Sequence, residues 1–313
     1  MDVLLMTRDL SELGGTQTWT QTMAKAIQDK GHNVFAWSFR TGLKMPCPTT
    51  TELEKLDYDL IIINHNTVMG YSHFKKLTGT RVFTSHGPLH PLERTAGGAD
   101  HYAGVSEEVV MVQAEQGYMA DIIRQPIDLG KFYSDDARWP RQMLITPKRG
   151  VALNEAVAAC ESAGIDYDIA HYQINPIDEM WNLLPQYDVV ISAGRGILEA
   201  LACGCQVFSF NGENHSDGWI TPENIGKASQ CNYSGRATQK NYVGNQMADL
   251  LRDPPPHSRF TLREWVEEHH DASDIADKYL AYADADTADN TLHPIHRRAD
   301  HEQNEEFVPV SSD

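Results

Sequence analysis

Four places along the chain put residues able to do chemistry where a strand-like run gives way to a helix-like one. Gly14 and Gly15 stand just beyond the apolar stretch "DVLLMT" and open the next helical segment. Backbone N–H groups at a helix start, with no side chain in the way, bind anions, so the pair reads either as a tight turn or as a cradle for a diphosphate or an acceptor group. His86, in "TSHG", ends another apolar run, where it serves the local structure or faces a cleft. Lys148 and Arg149, in "PKRG", are solvated surface charges on one reading. On the other they neutralise a departing diphosphate, since electrostatic stabilisation of developing charge is the main lever in phosphate-leaving reactions. Glu199 is a single carboxylate in the otherwise apolar "SAGRGILEALACGC" (192–205), close to Arg195. It is either a helix-start charge gaining roughly 0.3–1 kcal/mol from the dipole, or a ligand contact.

Other chemistries find less support. Asp-x-Asp triplets occur at Asp57 and Asp59, Asp166 and Asp168, and Asp284 and Asp286. The first two belong to a recurring Tyr-Asp plus apolar pattern that marks strand starts, so no catalytic metal is expected. Cys47, Cys160, Cys203, Cys205 and Cys231 are odd in number and lack a CxxC spacing, which predicts reduced thiols in a cytoplasm and no zinc site. His293, His296 and His301 lie in an acidic terminal stretch that reads as solvated tail. With 26 basic against 44 acidic residues the net charge is -18, which disfavours binding of extended nucleic acid or an anionic membrane face. The opening "MDVLLMTRDL" reads as a first strand and not as a signal peptide, and no apolar run is long enough to span a membrane.

The elements that must position these residues alternate along 313 residues, long enough for two domains. "DVLLMT" (2–7), "HNVFAWS" (32–38), "DLIIIN" (59–64), "RVFTSHG" (81–87), "HYAGVS" (101–106) and "DIIRQPID" (121–128) read as strands. Between the first two, Trp19, Met23, Ala26 and Ile27 recur at helical spacing, and a further helix is expected near 107–117. After the polar break "LGKFYSDDARWPRQ" the alternation resumes, with strands at 143–146, 166–172, 188–192 and 206–210 and helices near 150–163, 177–183 and from about 196. This predicts an α/β protein of two tandem Rossmann-like domains, 1–133 and 142–252, facing a cleft where ligands of open parallel sheets bind. Residues 260–283 read as one helix or a helix pair, and 284–313 as an acidic disordered tail.

Taken together, these stretches resemble the retaining glycosyltransferases of the GT-B fold, family 4 type (glycosyl transferases group 1). The likeness is carried by "GGTQTWTQTMAKAIQDKGHNV" (14–34), "TSHG" (84–87), "QPIDLGKF" (125–132) and "GRGILEALACGCQVF" (194–208), and it runs over about residues 1–283. "DGWITPENIGKASQCNYSGRA" (217–237) resembles a subset with a "TPEN…SGR" ending. The resemblance implies transfer of a sugar from a nucleotide-diphosphate donor to a hydroxyl on a glycan, a lipid or a modified base. It implies no metal or other cofactor, and a cytoplasmic enzyme that meets a membrane, if at all, only through its acceptor.

In that frame Glu199 would hold the ribose hydroxyls, Lys148 and Arg149 the diphosphate, and His86 the region of the donor sugar. Gly14, Gly15, Ser192, Gly194, Arg195 and Gly196 would complete the donor site, with a small glycine loop at 192–196 letting backbone amides approach. Arg236 is expected to help pin the last helices, a ligand role being the other reading. Two positions depart from the family: Met143 stands where it has an Arg, for which Arg141, Arg149 or Arg195 would substitute, and Ile191 stands where it has a second Glu eight residues before Glu199. With no nucleophile evident, retention would follow front-face attack, the leaving phosphate taking the acceptor proton. A nucleotide-sugar epimerase of the same fold, or a non-catalytic nucleotide-sugar-binding protein, are the alternatives.

Overall fold

The computed structural model describes residues 1–134, 143–146, 150–170, 177, 179–212, 215–242, 245–255 and 261–288. Two sheets organise them. The first contains β1 (Asp2–Met6), β2 (Asn33–Trp37), β3 (Thr49–Thr50), β4 (Asp57–Asn64), β5 (Thr78–Ser85), β6 (His101–Gly104) and β7 (Asp121–Ile122), all parallel, in the order β3-β2-β1-β4-β5-β6-β7. Central strands of such a sheet are covered on both faces and so read as continuous apolar runs. Accordingly Val3 to Met6 of β1 and Leu60 to Ile63 of β4 are wholly buried.

α1 (Gly15–Asp29) lies across one face on its Trp19, Met23, Ala26 and Ile27 stripe, as its periodicity predicts. α2 (Asn66–Phe74) and α3 (Glu107–Glu115) follow β4 and β6. The segment expected as a strand over 121–128 pairs with the first sheet only at β7; beyond it Ile123, Arg124 and Gln125 lead to Pro126, which has no N–H for a ladder, and the chain crosses to the second sheet.

That sheet has the order β12-β11-β10-β8-β9, from β8 (Met143–Ile145), β9 (Tyr167–Ile169), β10 (Val189–Ser192), β11 (Gln206–Phe210) and β12 (Ser216–Trp219), with β12 antiparallel to β11 and the rest parallel. Its helices are α4 (Gly150–Ala163), the single turn α5 (Met180–Leu183), α6 (Arg195–Ala202), α7 (Ile225–Gln230) and α8 (Asn245–Arg252). All five cysteines are free thiols, four of them buried.

The terminal helical stretch is a pair, α9 (Thr261–His270) and α10 (Ala272–Ala288), and α10 runs past the expected boundary at 283, so residues 284–288 are helix and not tail. His293, His296 and His301 lie outside the described residues. Between α9 and α10 the chain crosses back: Ile127 N–H donates to His270 O at 2.7 Å and Ala272 N–H to Ile127 O at 3.0 Å. The two crossings therefore pair with each other. α10 then returns to the first sheet and buries Ile275, Ala276, Tyr279 and Leu280 there, with Tyr279 Oη 3.0 Å from Thr84 Oγ1 at the end of β5. Among the described residues no helix is long and apolar enough to cross a membrane.

Candidate functional site

The C-terminal ends of β1, β4 and β5 release Thr7, Asn64 and Ser85 at one edge of the first sheet, where open parallel sheets take their ligands. His86 follows β5 directly. Its backbone N–H donates to Glu93 Oε2 at 2.6 Å, its Nε2 lies 2.9 Å from Asn64 Oδ1, and the Trp19 ring meets it edge-on at 5.2 Å. With Asn64 Oδ1 as acceptor, the imidazole proton sits on Nε2. Burial, with the charges of His65 and Arg195 nearby, pushes the ring down to about 3, so His86 is neutral at physiological pH. Two buried donors close to it, Trp19 Nε1 and Asn64 Nδ2, have no protein partner.

His65 and Glu93 stand beside this ring. His65 holds a left-handed backbone, with φ 78°, uncommon for a residue with a Cβ. Its Nδ1 accepts from Arg8 N–H at 3.3 Å, and its Nε2 lies 3.6 Å from Glu93 Oε1. Burial drops His65 to about 4, aided by the charges of Arg8 and His90, and lifts the Glu93 carboxyl to about 7.

On the second sheet, β10 ends at Ser192 and the chain turns through Gly194 into α6. Gly194 takes φ 63° and ψ -134°, a conformation reserved for glycine, and its N–H donates to Tyr233 O at 2.7 Å. Ser192 is buried, its Oγ accepting from Thr146 Oγ1 at 2.7 Å, and a Cβ at Gly196 would stand 2.4 Å from that Oγ. The glycine loop is therefore present, but its Gly194 amide is engaged within the protein. Glu199 is the fifth residue of α6, beyond the first turn, which removes the helix-start reading. It is 8% exposed, and its Oε1 accepts from Arg195 Nε at 2.7 Å.

Arg195, expected to touch donor, reaches the other way. Nη1 donates to Pro126 O at 2.7 Å in the outgoing crossing, and Nη2 donates to Thr22 Oγ1 at 3.0 Å on α1 of the first sheet. One guanidinium thus joins Glu199, the crossing and α1, and it cannot also stand in for an arginine at position 143.

Further contacts bridge the same gap. Asn232 and Tyr233 are consecutive left-handed residues, with φ 51° and 53°. Asn232 Nδ2 lies 3.5 Å from His86 O. Arg236 makes a two-pronged ion pair with Glu108 of α3 through its Nε and Nη2, at 2.9 and 2.5 Å, and so ties the two sheets together. Arg124 pairs with Glu107 at 2.7 Å and donates to Ser229 O. At the crossings Trp265 Nε1 donates to Tyr233 Oη at 2.9 Å, Tyr233 Oη stands 3.0 Å from His270 Nε2, and His270 Nδ1 lies 2.8 Å from Gln125 O. The carbonyl must accept, so Nδ1 carries the proton and Tyr233 donates to Nε2. Burial holds His270 at about 3.

The remaining expected site residues divide. Gly14 and Gly15 start α1 with extended backbone at Gly14, and a Cβ at Gly14 would stand 2.4 Å from Gln17 Oε1, whose side chain folds over the helix start and donates to Asp9 O. Lys148, Arg149 and Arg141 lie outside the described residues. Met143 is not at a strand's cleft end: it is the first residue of β8, buried against Cys160. Ile191 lies within β10 in the same cluster as Ile145 and Phe208, and it is not in the loop.

Sequence reasoning passed over Asn64, His65, Glu93 and Asn232. Asn64 and His65 were legible as a polar pair ending "DLIIIN" just as His86 ends "VFTS"; Glu93, at the end of the three-residue helical turn Pro91–Glu93, gave no such signal.

No family profile and no curated protein sequence matches the chain. Solved structures do. AviGT4, a glycosyltransferase involved in avilamycin A biosynthesis, superposes with a TM-score of 0.58 at 14% identity, covering 90% of this chain and 97% of its own. A glycosyltransferase from Rickettsia africae gives 0.57 at 12%, covering 93% and 99%. A putative UDP-N-acetylglucosamine 2-epimerase from Listeria monocytogenes gives 0.53 at 13%, covering 92% and 96%. Two Rossmann-like sheets bridged by these contacts, with the last helix returned to the first sheet, give this chain the GT-B fold.

Proposed function

We propose that the chain is a glycosyltransferase of the hexosyltransferase type, moving a sugar from a nucleotide-diphosphate donor to a hydroxyl on a glycan, a lipid or a modified base. The observation that carries this reading is the buried carboxylate of Glu199, linked through Arg195 to Thr22 of the first domain. One oxygen is held by Arg195, which leaves the other to accept from a ribose hydroxyl. Lys148 and Arg149, between β8 and α4, would carry the diphosphate charge, so the reaction as proposed calls for no metal. His86, neutral, would bind by hydrogen bonding and not by charge.

The steric course turns on where the acceptor's proton goes. If the leaving phosphate takes it on the front face, the anomeric configuration is retained, which is the course the family resemblance implies. The reading further places the enzyme in the cytoplasm.

Epimerisation is the second reading, favoured by a titratable carboxyl, Glu93, on the facing sheet. The test is a thermal-shift screen of UDP-, GDP-, ADP- and dTDP-sugars, followed by product mass with glycan, lipid and modified-base acceptors. Free nucleoside diphosphate with a glycosylated product supports transfer. An isomeric nucleotide sugar supports epimerisation, and tight binding without conversion leaves only a binder.

A further inference from the structure

The strand order β3-β2-β1-β4-β5-β6-β7 changes direction between β1 and β4: from β1 the chain goes on to β2 on one flank, and from β4 to β5 on the other. α1, after β1, packs on the face that buries Val3 and Leu5, and α2, after β4, on the face that buries Leu4 and Met6. The chain therefore parts to opposite faces beyond these two neighbouring strand ends. Such a point is where an open parallel sheet takes a ligand.

Arg8 stands on the β1 side of that crevice and His65 on the β4 side. The Arg8 backbone is pinned from two directions: its N–H donates to His65 Nδ1 at 3.3 Å, and its C=O accepts from Phe39 N–H at 3.2 Å, just beyond β2. Its side chain is exposed and unpaired. Asp9, the next residue, is taken by Arg40 and by the Ser11 hydroxyl at 2.6 Å, while Glu93 accepts from His86 N–H and lies toward His65. Among the described residues the Arg8 guanidinium has no carboxylate partner, although acids outnumber bases by 44 to 26 and Lys25, Lys30, Lys55, Arg124 and Arg236 all have one. A second group at the same place is open. Asn64, which ends β4, is wholly buried, yet its Nδ2 has no protein partner, and a ligand oxygen or a water there would relieve the cost of a donor left unpaired.

We propose that this crevice takes an acceptor bearing an anionic oxygen group, a phosphate or a carboxylate, with Arg8 as its counter-charge. This rests on the glycosyl-transfer reading above, in which Glu199, Lys148 and Arg149 of the second sheet hold the donor and the first sheet is left to the acceptor. A guanidinium presents parallel N–H donors that match two oxygens of either group, and a backbone already fixed at two strand ends spends little freedom on binding. His65 beside it is neutral, held down to about 4 by burial and by the Arg8 and His90 charges, so it adds no charge of its own. The net charge of -18 sets the size of the anion: at long range it repels a polyanion, whereas one guanidinium in a crevice selects a single charged group.

Glycerol 3-phosphate and glycerate serve as probes, with glycerol as the uncharged control. Each is titrated into the full ¹⁵N-labelled chain, alone and with UDP, GDP, ADP or dTDP filling the donor site, and the arginine Nε–H resonance lost in Arg8→Lys reports the crevice. Both anions should move that resonance with or without nucleotide, glycerol should not, and the tighter of the two tells phosphate from carboxylate. Arg8→Gln should weaken the anion by roughly 10- to 100-fold, the range for hydrogen bonds to a charged group, and Arg8→Lys should recover part. Unchanged nucleoside diphosphate affinity is the check on folding. With the acceptor identified by product mass, Arg8→Gln should raise the acceptor KM by a similar factor and leave the donor KM alone. No shift with either anion, competition between the anion and nucleoside diphosphate, or a product whose acceptor carries no anionic group overturns the proposal and leaves glycosyl transfer standing. A chain that responds to the anions but releases no nucleoside diphosphate from any hexose donor overturns glycosyl transfer, and the acceptor role with it, while the anion site remains.

Discussion

Replacing Glu199 should injure the protein in two separable ways, and the structure sets their sizes. Glu199 and Arg195 are each about one-tenth exposed at the side chain and meet at 2.7 Å. Glu199→Ala leaves a guanidinium desolvated without its anion, which costs about 3–5 kcal/mol for a buried pair. Two neutral acceptors remain, Pro126 O and Thr22 Oγ1, so the lower end, about 3 kcal/mol, applies. For a chain of 313 residues that corresponds to a fall in melting temperature of roughly 4–5 °C. Glu199→Gln keeps an oxygen for Arg195 Nε and gives up only the charge, for about 1 kcal/mol.

On donor binding the order should differ: both variants lose the carboxylate, and Ala should weaken donor use by about 10- to 100-fold, or roughly 1.5–3 kcal/mol. Thermal denaturation without ligand, beside calorimetric titration of nucleoside diphosphate at a temperature where both variants are folded, reads the two effects independently. Equal melting of Ala and Gln would refute the buried-pair argument. Parental nucleotide affinity in both would refute the ribose role, whatever the melting data.

Thr22→Val removes one acceptor of Arg195 from the first sheet without touching the second, and should weaken nucleotide binding by roughly 5-fold, about 1 kcal/mol; unchanged titration calorimetry would show that Arg195 does not couple the sheets. Lys148→Ala should lower kcat more than it raises KM, measured by nucleoside diphosphate release, and parental kinetics would remove it from the site. Stability should rise with pH from about 4 to 6.5. His86 and His270 at about 3 and His65 at about 4 stay unprotonated in the native state but charge on unfolding below 6.5, so their contribution is complete above that value and lost as pH falls. Glu93 runs the opposite way, its contribution present below 4.5 and lost as pH rises through about 7, but three histidines outweigh one carboxyl. A melting temperature that falls between pH 4 and 6.5 would contradict this.

The sheet strands were legible because a parallel strand buried on both faces announces itself as an apolar run, and β1, β4 and β5 are such runs. α2, α7, α8 and β12 were not. β12 has Gly218 at its centre and pairs antiparallel at the sheet edge, and α7 is only six residues long, so neither pattern repeats enough to be read. Glu199 was legible as an oddity, a lone carboxylate in an apolar helix. Arg195 was expected at the donor, because nothing in the sequence shows that a cation at i-4 from Glu199 also reaches Thr22 on the first sheet's α1.

The absent second glutamate shows how spacing misleads when it is carried over without the strand's ends. Position 191 belongs to β10 and is packed with Ile145 and Phe208; a carboxylate there would be desolvated among apolar side chains without a partner. Position 143 fails likewise, because it begins β8 while ligands meet the strands where they finish. What stands at the crevice instead comes from distant sequence. Tyr233 fastens Gly194, and Asn232, beside it in the left-handed region, reaches toward His86. A side-chain amide both donates and accepts, so it can address a sugar hydroxyl without charge.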